Sequence, residues 1–143
     1  MVTYHSETLK WPVTLNHAQL EQISNSHGLR LRHVHFYLVN DEALRVINRT
    51  HLDHDYYTDI ITFPYSEGKR IEADIFISLD RVADNAANEN ETLENEMARV
   101  IIHGILHLCG YDDHSEEEKK KMRQAENHWI NQLMDKKKEK SNK

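Results

Sequence analysis

The stretch that decides the fold lies at residues 93–114 and reads LENEMARVIIHGILHLCGYDDH. Between Leu93 and Leu108 the apolar residues fall on nearly every side of a helix, which predicts a helix buried in the middle of a domain. Gly110 can adopt the left-handed conformation that commonly ends a helix. His103 and His107 are four residues apart, so their side chains project from the same helical face. The stretch therefore predicts a central buried helix that carries two imidazoles.

The segments before and after this helix predict the remaining elements. Alternating or β-branched residues predict strands at 2–9, 31–39, 58–63 and 71–79. Capping boxes predict helices after Asn16, ending near Gly28, and after Ser115. Asp41 and Asp80 are the predicted caps of two further helices. This order predicts an α+β fold in which a mixed four-stranded sheet is packed with helices around the central helix.

Composition favours one domain that spans residues 1–143, with residues 136–143 as a frayed basic tail. We expect no signal peptide and no membrane span, because no apolar run is long enough for either. Cys109 is the only cysteine, which excludes an internal disulfide and favours a reducing, cytoplasmic location. The net charge of −6 argues against a protein that coats nucleic acid, although a local basic site remains compatible with it.

The histidine spacing predicts a metal site. Two imidazoles four residues apart on a helix can reach one metal at roughly 2.0–2.1 Å, whereas the alternative is a pair of core histidines held by hydrogen bonds. A glycine and a cluster of possible ligands follow, as in the metzincin motif H-E-x-x-H-x-x-G-x-x-H, but Gly104 replaces the catalytic glutamate. Three protein ligands would leave one position open for water. Imidazole chemistry favours His114 as the third ligand, and the motif spacing favours Asp113.

The same residues resemble a known family. The block HGILHLCGYD (103–112) is similar to the H-G-x-L-H-L-x-G-Y-D block of the YbeY family, TDIITFP (58–64) to its T-[ND]-V-L-S-F-P strand, and ADIFI (73–77) to its G-D-I-x-I strand. The resemblance covers roughly Ile47–Met122. It implies an α+β fold and a metal-dependent, single-strand-specific endoribonuclease of ribosomal RNA maturation. It also implies one zinc or other divalent metal per chain, ribosomal RNA or a ribosomal subunit as partner, no DNA partner and a cytoplasmic location.

The resemblance also bears on the third ligand. The family's third ligand lies six residues after the second histidine, and here that residue is Asp113. Met122 lies nine residues beyond it, where the family also has a methionine, so no insertion is needed. This favours Asp113 over His114.

Some residues depart from the pattern or have open roles. Leu52 occupies the position of a family arginine important for activity, and Arg49, one turn earlier, is the candidate catalytic substitute, although it could equally be a surface charge. Lys69 and Arg70 are candidates for phosphate binding. Asp74 is a candidate for orienting a ligand histidine, or for a turn. Two alternative functions remain: a metzincin-like peptidase, which the glycine at position 104 disfavours, and a non-catalytic ribosome-assembly factor with a structural metal.

Overall fold

The computed structural model describes residues 1–52, 58–66 and 68–135. Its strands are β1 (Val2–His5), β2 (Arg30–Val39), β3 (Ile60–Pro64) and β4 (Arg70–Ser78). Its helices are α1 (His17–Ser26), α2 (Asp41–Leu52), α3 (Leu79–Asn88), α4 (Leu93–Leu108) and α5 (Glu116–Ile130), and a π-helical turn (Asn131–Asp135) follows α5. The predicted α+β class is confirmed.

The four strands form one mixed sheet in the order β1-β2-β4-β3. β2 pairs in parallel with β1 and β4, whereas β3 pairs antiparallel to β4 and forms an edge. Alternate residues on a strand point to opposite faces, and in β2 the residues Val34, Phe36 and Leu38 are buried. Tyr37 and Phe76 lie on the other face, with ring centroids 4.7 Å apart. The sheet therefore has one face in the main core and a second, aromatic face.

Helix α4 lies at the centre of the core. Nine of its residues are buried, and it contacts α1, α3, α5, β3 and β4. The Thr92 hydroxyl caps its start by accepting the N–H of Asn95 at 3.1 Å. The predicted helix of residues 93–108 is therefore confirmed, and burial on several sides fixes where its histidines point.

Both predicted capping boxes are present, at Asn16 with Gln19 and at Ser115 with Glu118. Gly110 ends α4 with φ +109°. The N–H of Gly110 donates to the His107 carbonyl, and the N–H of Tyr111 donates to the Leu106 carbonyl, which is the Schellman pattern. This turn brings the chain back towards the helix face that carries the histidines.

The predicted caps of α2 and α3 are wrong by one and two residues. Asn40, not Asp41, caps α2 by accepting the N–H of Ala43 at 2.8 Å. Ser78, not Asp80, caps α3 by accepting the N–H of Arg81 at 3.1 Å. The Asp80 carboxylate instead accepts the N–H of Asp41 at 2.7 Å and thereby ties the two helix starts together. Neighbouring polar residues are all good caps, so only the folded backbone selects one.

Two strand boundaries also differ from the prediction. β1 ends at His5 because the Ser6 hydroxyl accepts the N–H of Leu9 at 2.9 Å and turns the chain away from the sheet. β3 begins at Ile60 instead of Thr58. The predicted basic tail, residues 136–143, and Glu67 of the predicted turn lie outside the described residues. No helix in the described part of the chain is long and apolar enough to cross a membrane.

Candidate metal centre and active site

Gly104 lets helix α4 lie close against the sheet. A Cβ atom at this position would be 3.1 Å from Ile60 Cδ1 and 3.2 Å from Ile75 Cδ1. Position 104 therefore points into the apolar layer between α4 and the sheet. The side chains of His103 and His107 are only partly buried. The helix is thus oriented with its glycine against the core and its two imidazoles within reach of solvent.

The imidazole of His103 is held by a buried carboxylate. Its Nδ1–H donates to Glu126 Oε2 at 2.7 Å, and Glu126, on α5, is only 5% exposed. The other oxygen, Glu126 Oε1, accepts a hydrogen bond from Arg99 Nη1 at 3.3 Å. In the neutral ring the proton therefore lies on Nδ1, and Nε2 keeps its lone pair. His103 therefore has the tautomer and the supporting carboxylate that are typical of a metal ligand.

The imidazole of His107 is held by the turn that ends the helix. Its Nδ1 lies 3.1 Å from the Tyr111 carbonyl oxygen. A carbonyl can only accept, so Nδ1 carries the proton and Nε2 keeps its lone pair. The Schellman turn at Gly110 brings this carbonyl into place. The two histidines thus have the same tautomer, fixed by two different elements.

Asp113 lies beside the free nitrogen of His103. The distance from His103 Nε2 to Asp113 Oδ2 is 3.6 Å. Ligand atoms bound to one tetrahedral metal at about 2.0–2.2 Å are separated by about 3.3–3.6 Å. The Asp113 carboxylate is therefore at a spacing that fits a shared metal.

His114 has different surroundings. It is exposed at the start of the capping turn of α5. The pKa of Glu118 is lowered mainly by a hydrogen bond from the Ser115 backbone. The charge of His114 contributes to the same lowering, so His114 is close to Glu118. His114 thus lies beside Glu118 of its own turn, and the position of Asp113 next to His103 favours Asp113 as third ligand.

Acidic groups surround His103. Burial lowers the pKa of His103, but the hydrogen bond that His103 donates to Glu126 and the charges of Glu126, Asp59 and Asp113 outweigh burial and raise it above its ordinary value. Burial also raises the pKa of Asp59, against the charge of His103. Such a cluster of negative charge attracts a cation. The acidic groups around His103 would therefore favour a bound cation.

The donor set fits a metal, although the ligands have not converged. Within the described ranges, no group of three or more His, Cys, Asp or Glu side chains is arranged to hold a metal ion. His103 and Asp113 face each other, and His107 is one helical turn away with the correct tautomer. The residues present therefore fit a metal in the chemistry of their donor atoms, two imidazole nitrogens and a carboxylate.

The other predicted site residues lie elsewhere. Arg49 is exposed in the last turn of α2, and Leu52, at its end, is 40% exposed. Asp74 accepts a hydrogen bond from the Tyr65 hydroxyl on the aromatic face of the sheet, opposite α4. Asp74 therefore lies too far from the histidines of α4 to orient them, and the carboxylate that contacts His103 is that of Glu126. Lys69 and Arg70 are exposed at the β3–β4 turn.

Sequence reasoning missed Glu126 and Asp59 as members of the centre. Glu126 lies four residues after Met122, on the buried stripe of α5, and a lone carboxylate in such a stripe normally has a buried partner. That signal could have identified Glu126. Asp59 precedes β3, and only the packing of β3 beneath α4 brings it near His103.

Two imidazoles four residues apart on one helix, with the Asp113 carboxylate 3.6 Å from one of them, are an arrangement typical of metal-dependent hydrolases. The sequence profile of the family described as Endoribonuclease YbeY matches residues 4–134. The chain belongs to the YbeY family. The resemblance inferred from the motifs is confirmed.

Relatives cover most of the chain. An Endoribonuclease YbeY from Bacteroides thetaiotaomicron is 45% identical over 129 residues, which are 88% of this chain and 94% of the relative. One from Cytophaga hutchinsonii is 48% identical over 108 residues, 75% of this chain and 76% of the relative. A solution structure of a Thermotoga maritima protein matches with TM-score 0.60 and 24% identity, covering 98% of this chain and 93% of that one. This last likeness supports the fold alone.

Proposed function

We propose that this chain is a metal-dependent endoribonuclease that cleaves single-stranded ribosomal RNA during ribosome maturation. As a member of its family, the chain is a hydrolytic endoribonuclease. The observation that supports metal dependence is that His103 and His107 each have a hydrogen-bond acceptor at Nδ1. Both rings therefore favour the same tautomer, with the proton on Nδ1. In the neutral rings this leaves Nε2 of each histidine as a donor atom on neighbouring helical turns, where one metal could use both.

In this proposal His103, His107 and Asp113 hold one zinc or similar divalent ion. The bound ion would supply Lewis acidity at a phosphoryl oxygen and lower the pKa of water towards about 7. Glu126 holds the proton at Nδ1 of His103 and fixes the ring plane. The Tyr111 carbonyl does the same for His107. Asp113 adds a negative charge beside the site, which favours hard ions such as Mn²⁺ relative to a three-histidine site.

The substrate follows from the family and from charge. Ribosomal RNA or a ribosomal subunit, met in the cytoplasm, is the proposed partner, and no DNA is expected. With a net charge of −6, the chain would bind RNA through local cations. Arg49 is the proposed substitute for the family arginine replaced by Leu52, and it would contact a phosphate.

The packing of Gly104 argues against peptidase activity. The peptidase motif requires a glutamate at this position as general base. Here a Cβ atom would lie 3.1 and 3.2 Å from Ile60 and Ile75, so a glutamate side chain would begin in the apolar layer and both isoleucines would have to shift. Hydrolysis of casein by the purified protein would contradict this argument.

The test combines metal analysis with RNA cleavage. Purified protein should contain about one equivalent of metal per chain and should cut an unstructured RNA. His103→Ala combined with His107→Ala should lose both properties. The matched control is His33→Ala combined with His128→Ala, which removes two exposed histidines and should retain both. Stoichiometric metal in the His103/His107 variant would refute the ligand assignment.

The assembly-factor alternative has its own readout. Chelation should abolish cleavage while circular dichroism shows the fold retained. Loss of the fold on chelation, with no cleavage by the metal-loaded protein, would instead support a structural metal in an inactive family member.

A further inference from the structure

Four cationic side chains lie together at the amino-terminal ends of β2 and β4. We call them the amino-end patch, and they are Arg30, Arg32, Lys69 and Arg70, all exposed. Arg30 pairs with Arg70 across the parallel strands, and its N–H donates to the Lys69 carbonyl at 2.7 Å. Adjacent like charges repel. In a chain of net charge −6 this concentration of positive charge stands out.

The patch differs from the helical cations in its partners. Arg81, Arg99 and Arg123 each form an ion pair with a carboxylate. Within residues 1–52, 58–66 and 68–135, no ion pair is formed by a member of the amino-end patch. A repulsive cluster without ion pairs in this part of the chain is suited to an anionic partner.

Two hollows adjoin the patch. The first, about 510 Å³, is lined by Asn25, Gly28, Leu29, Arg30, Lys69 and Arg70, and none of these lining residues carries a carboxylate. The second, about 320 Å³, lies between Pro64, Ser66, Arg70 and Leu108 and includes one acidic residue, Glu72. Arg70 lines both, so it links them into one surface.

This surface adjoins the carboxyl-terminal end of α4, where the candidate metal centre lies. Leu108, in the second hollow, directly follows His107. The α1–β2 turn borders the first hollow, and its His27 ring packs edge-on against Tyr111 with centroids 5.3 Å apart. The Tyr111 carbonyl in turn holds His107. The second hollow thus reaches the residue that follows His107, and the turn beside the first hollow contacts the residue whose carbonyl holds His107.

We propose that the amino-end patch binds the phosphodiester backbone of single-stranded RNA on one side of the scissile bond. This inference rests on the proposed function, and it adds a location for the bound RNA strand. Side-chain cations that contact phosphates position a strand without reading its sequence. The patch carries no aromatic ring on which a base could stack, so it acts through charge. Arg30, Lys69 and Arg70 are therefore positioning residues for the cleavage reaction.

The test variant replaces Arg30, Lys69 and Arg70 with Gln. The control variant replaces Lys10, Lys119 and Lys120, three exposed cations outside the patch, so that both variants lose the same net charge. Cleavage of an unstructured 12-nucleotide RNA by metal-loaded protein is measured across a salt series. The patch variant should show a KM at least tenfold higher with kcat within twofold of wild type. The slope of log kcat/KM against log salt should fall by about 2, the value for three lost phosphate contacts on a single strand.

The outcomes separate this proposal from the proposed function. A patch variant whose KM and salt slope equal those of the control overturns the inference while leaving the nuclease intact. If even the wild type cuts no RNA, the proposed function fails, and fluorescence anisotropy with the same RNA still tests the patch by the difference in binding between the two variants. Loss of binding to a polyglutamate peptide, with RNA binding unchanged, would assign the patch to an acidic protein and overturn the proposal.

Discussion

Replacement of Glu126 by Gln tests whether the buried carboxylate prepares His103 for metal. The substitution keeps the shape of the side chain and one acceptor oxygen but removes the charge. In the wild type, the Nδ1–H of His103 donates to a charged oxygen at 2.7 Å. The variant offers it only a neutral amide. The ring loses basicity at Nε2, where the metal would bind.

The magnitude follows from the geometry. A hydrogen bond to a charged group contributes about 1.5–3 kcal/mol and one to a neutral group about 0.5–1.5 kcal/mol. The hydrogen bond is already present without metal, so this difference of roughly 1–1.5 kcal/mol is an upper bound for its effect on metal binding. We expect a zinc affinity up to about tenfold lower, the lower end of the 10–100-fold effect of such supporting residues. Stability should fall as well, because Arg99 loses a charged partner at 3.3 Å. Arg99 keeps Glu96 and the Asn127 amide oxygen, so we expect the loss to stay below the roughly 3–5 kcal/mol of an orphaned buried charge.

The assay is zinc competition against a chromophoric chelator at neutral pH, with urea unfolding measured in parallel on metal-free protein. Asp74→Asn is the matched control, because it neutralises a carboxylate that Tyr65 binds on the opposite face of the sheet. It should leave zinc affinity unchanged. Equal zinc affinity of Glu126→Gln and wild type, or an equal loss in the Asp74 variant, would refute the reasoning.

Three further predictions address single side chains. Asp113→Ala should weaken metal binding strongly and His114→Ala should not; a titration in which only the His114 variant loses affinity would reverse the ligand assignment. Arg49→Ala should cut RNA cleavage at least tenfold, about 1.4 kcal/mol in the barrier, with metal content unchanged; full activity would make Arg49 a plain surface charge. Burial, the largest cause, together with Glu89 raises the pKa of Glu96 to about 7 against the charge of Arg99. The free energy of unfolding of the wild type should therefore fall as pH rises from the unfolded pKa of Glu96, near 4.5, to about 7. Glu96→Gln lacks this loss, so urea unfolding should show its stability relative to wild type increasing from pH 5 to pH 8.

Local signals in the sequence predicted the elements well. Helix α4 follows from its apolar composition and the glycine after it, and two capping boxes set the starts of α1 and α5. These features depend on residues within one turn of each other, so a single sequence contains them. The caps at Asn40 and Ser78 were missed because their acidic neighbours Asp41 and Asp80 are equally good candidates.

The candidate site was predictable only in part, for a physical reason. The spacing of His103 and His107 is a property of one helix. Glu126 is 23 residues beyond His103, on a different helix, and its role exists only after α5 docks against α4. The position of Asp74 on the sheet face opposite α4 likewise depends on strand register, because a shift of one residue exchanges the two faces of a strand.

The close approach of Gly104 to Ile60 and Ile75 limits how this scaffold could change its chemistry. Replacement of Gly104 by Glu would complete the peptidase motif in the sequence, but the new side chain would extend into the layer between helix and sheet. A carboxylate at this position would therefore have to displace the side chains of Ile60 and Ile75. A single substitution at position 104 is therefore expected to disturb the packing of α4 on the sheet. Two branched side chains beneath one glycine thus separate this nuclease scaffold from the peptidases whose motif it otherwise shares.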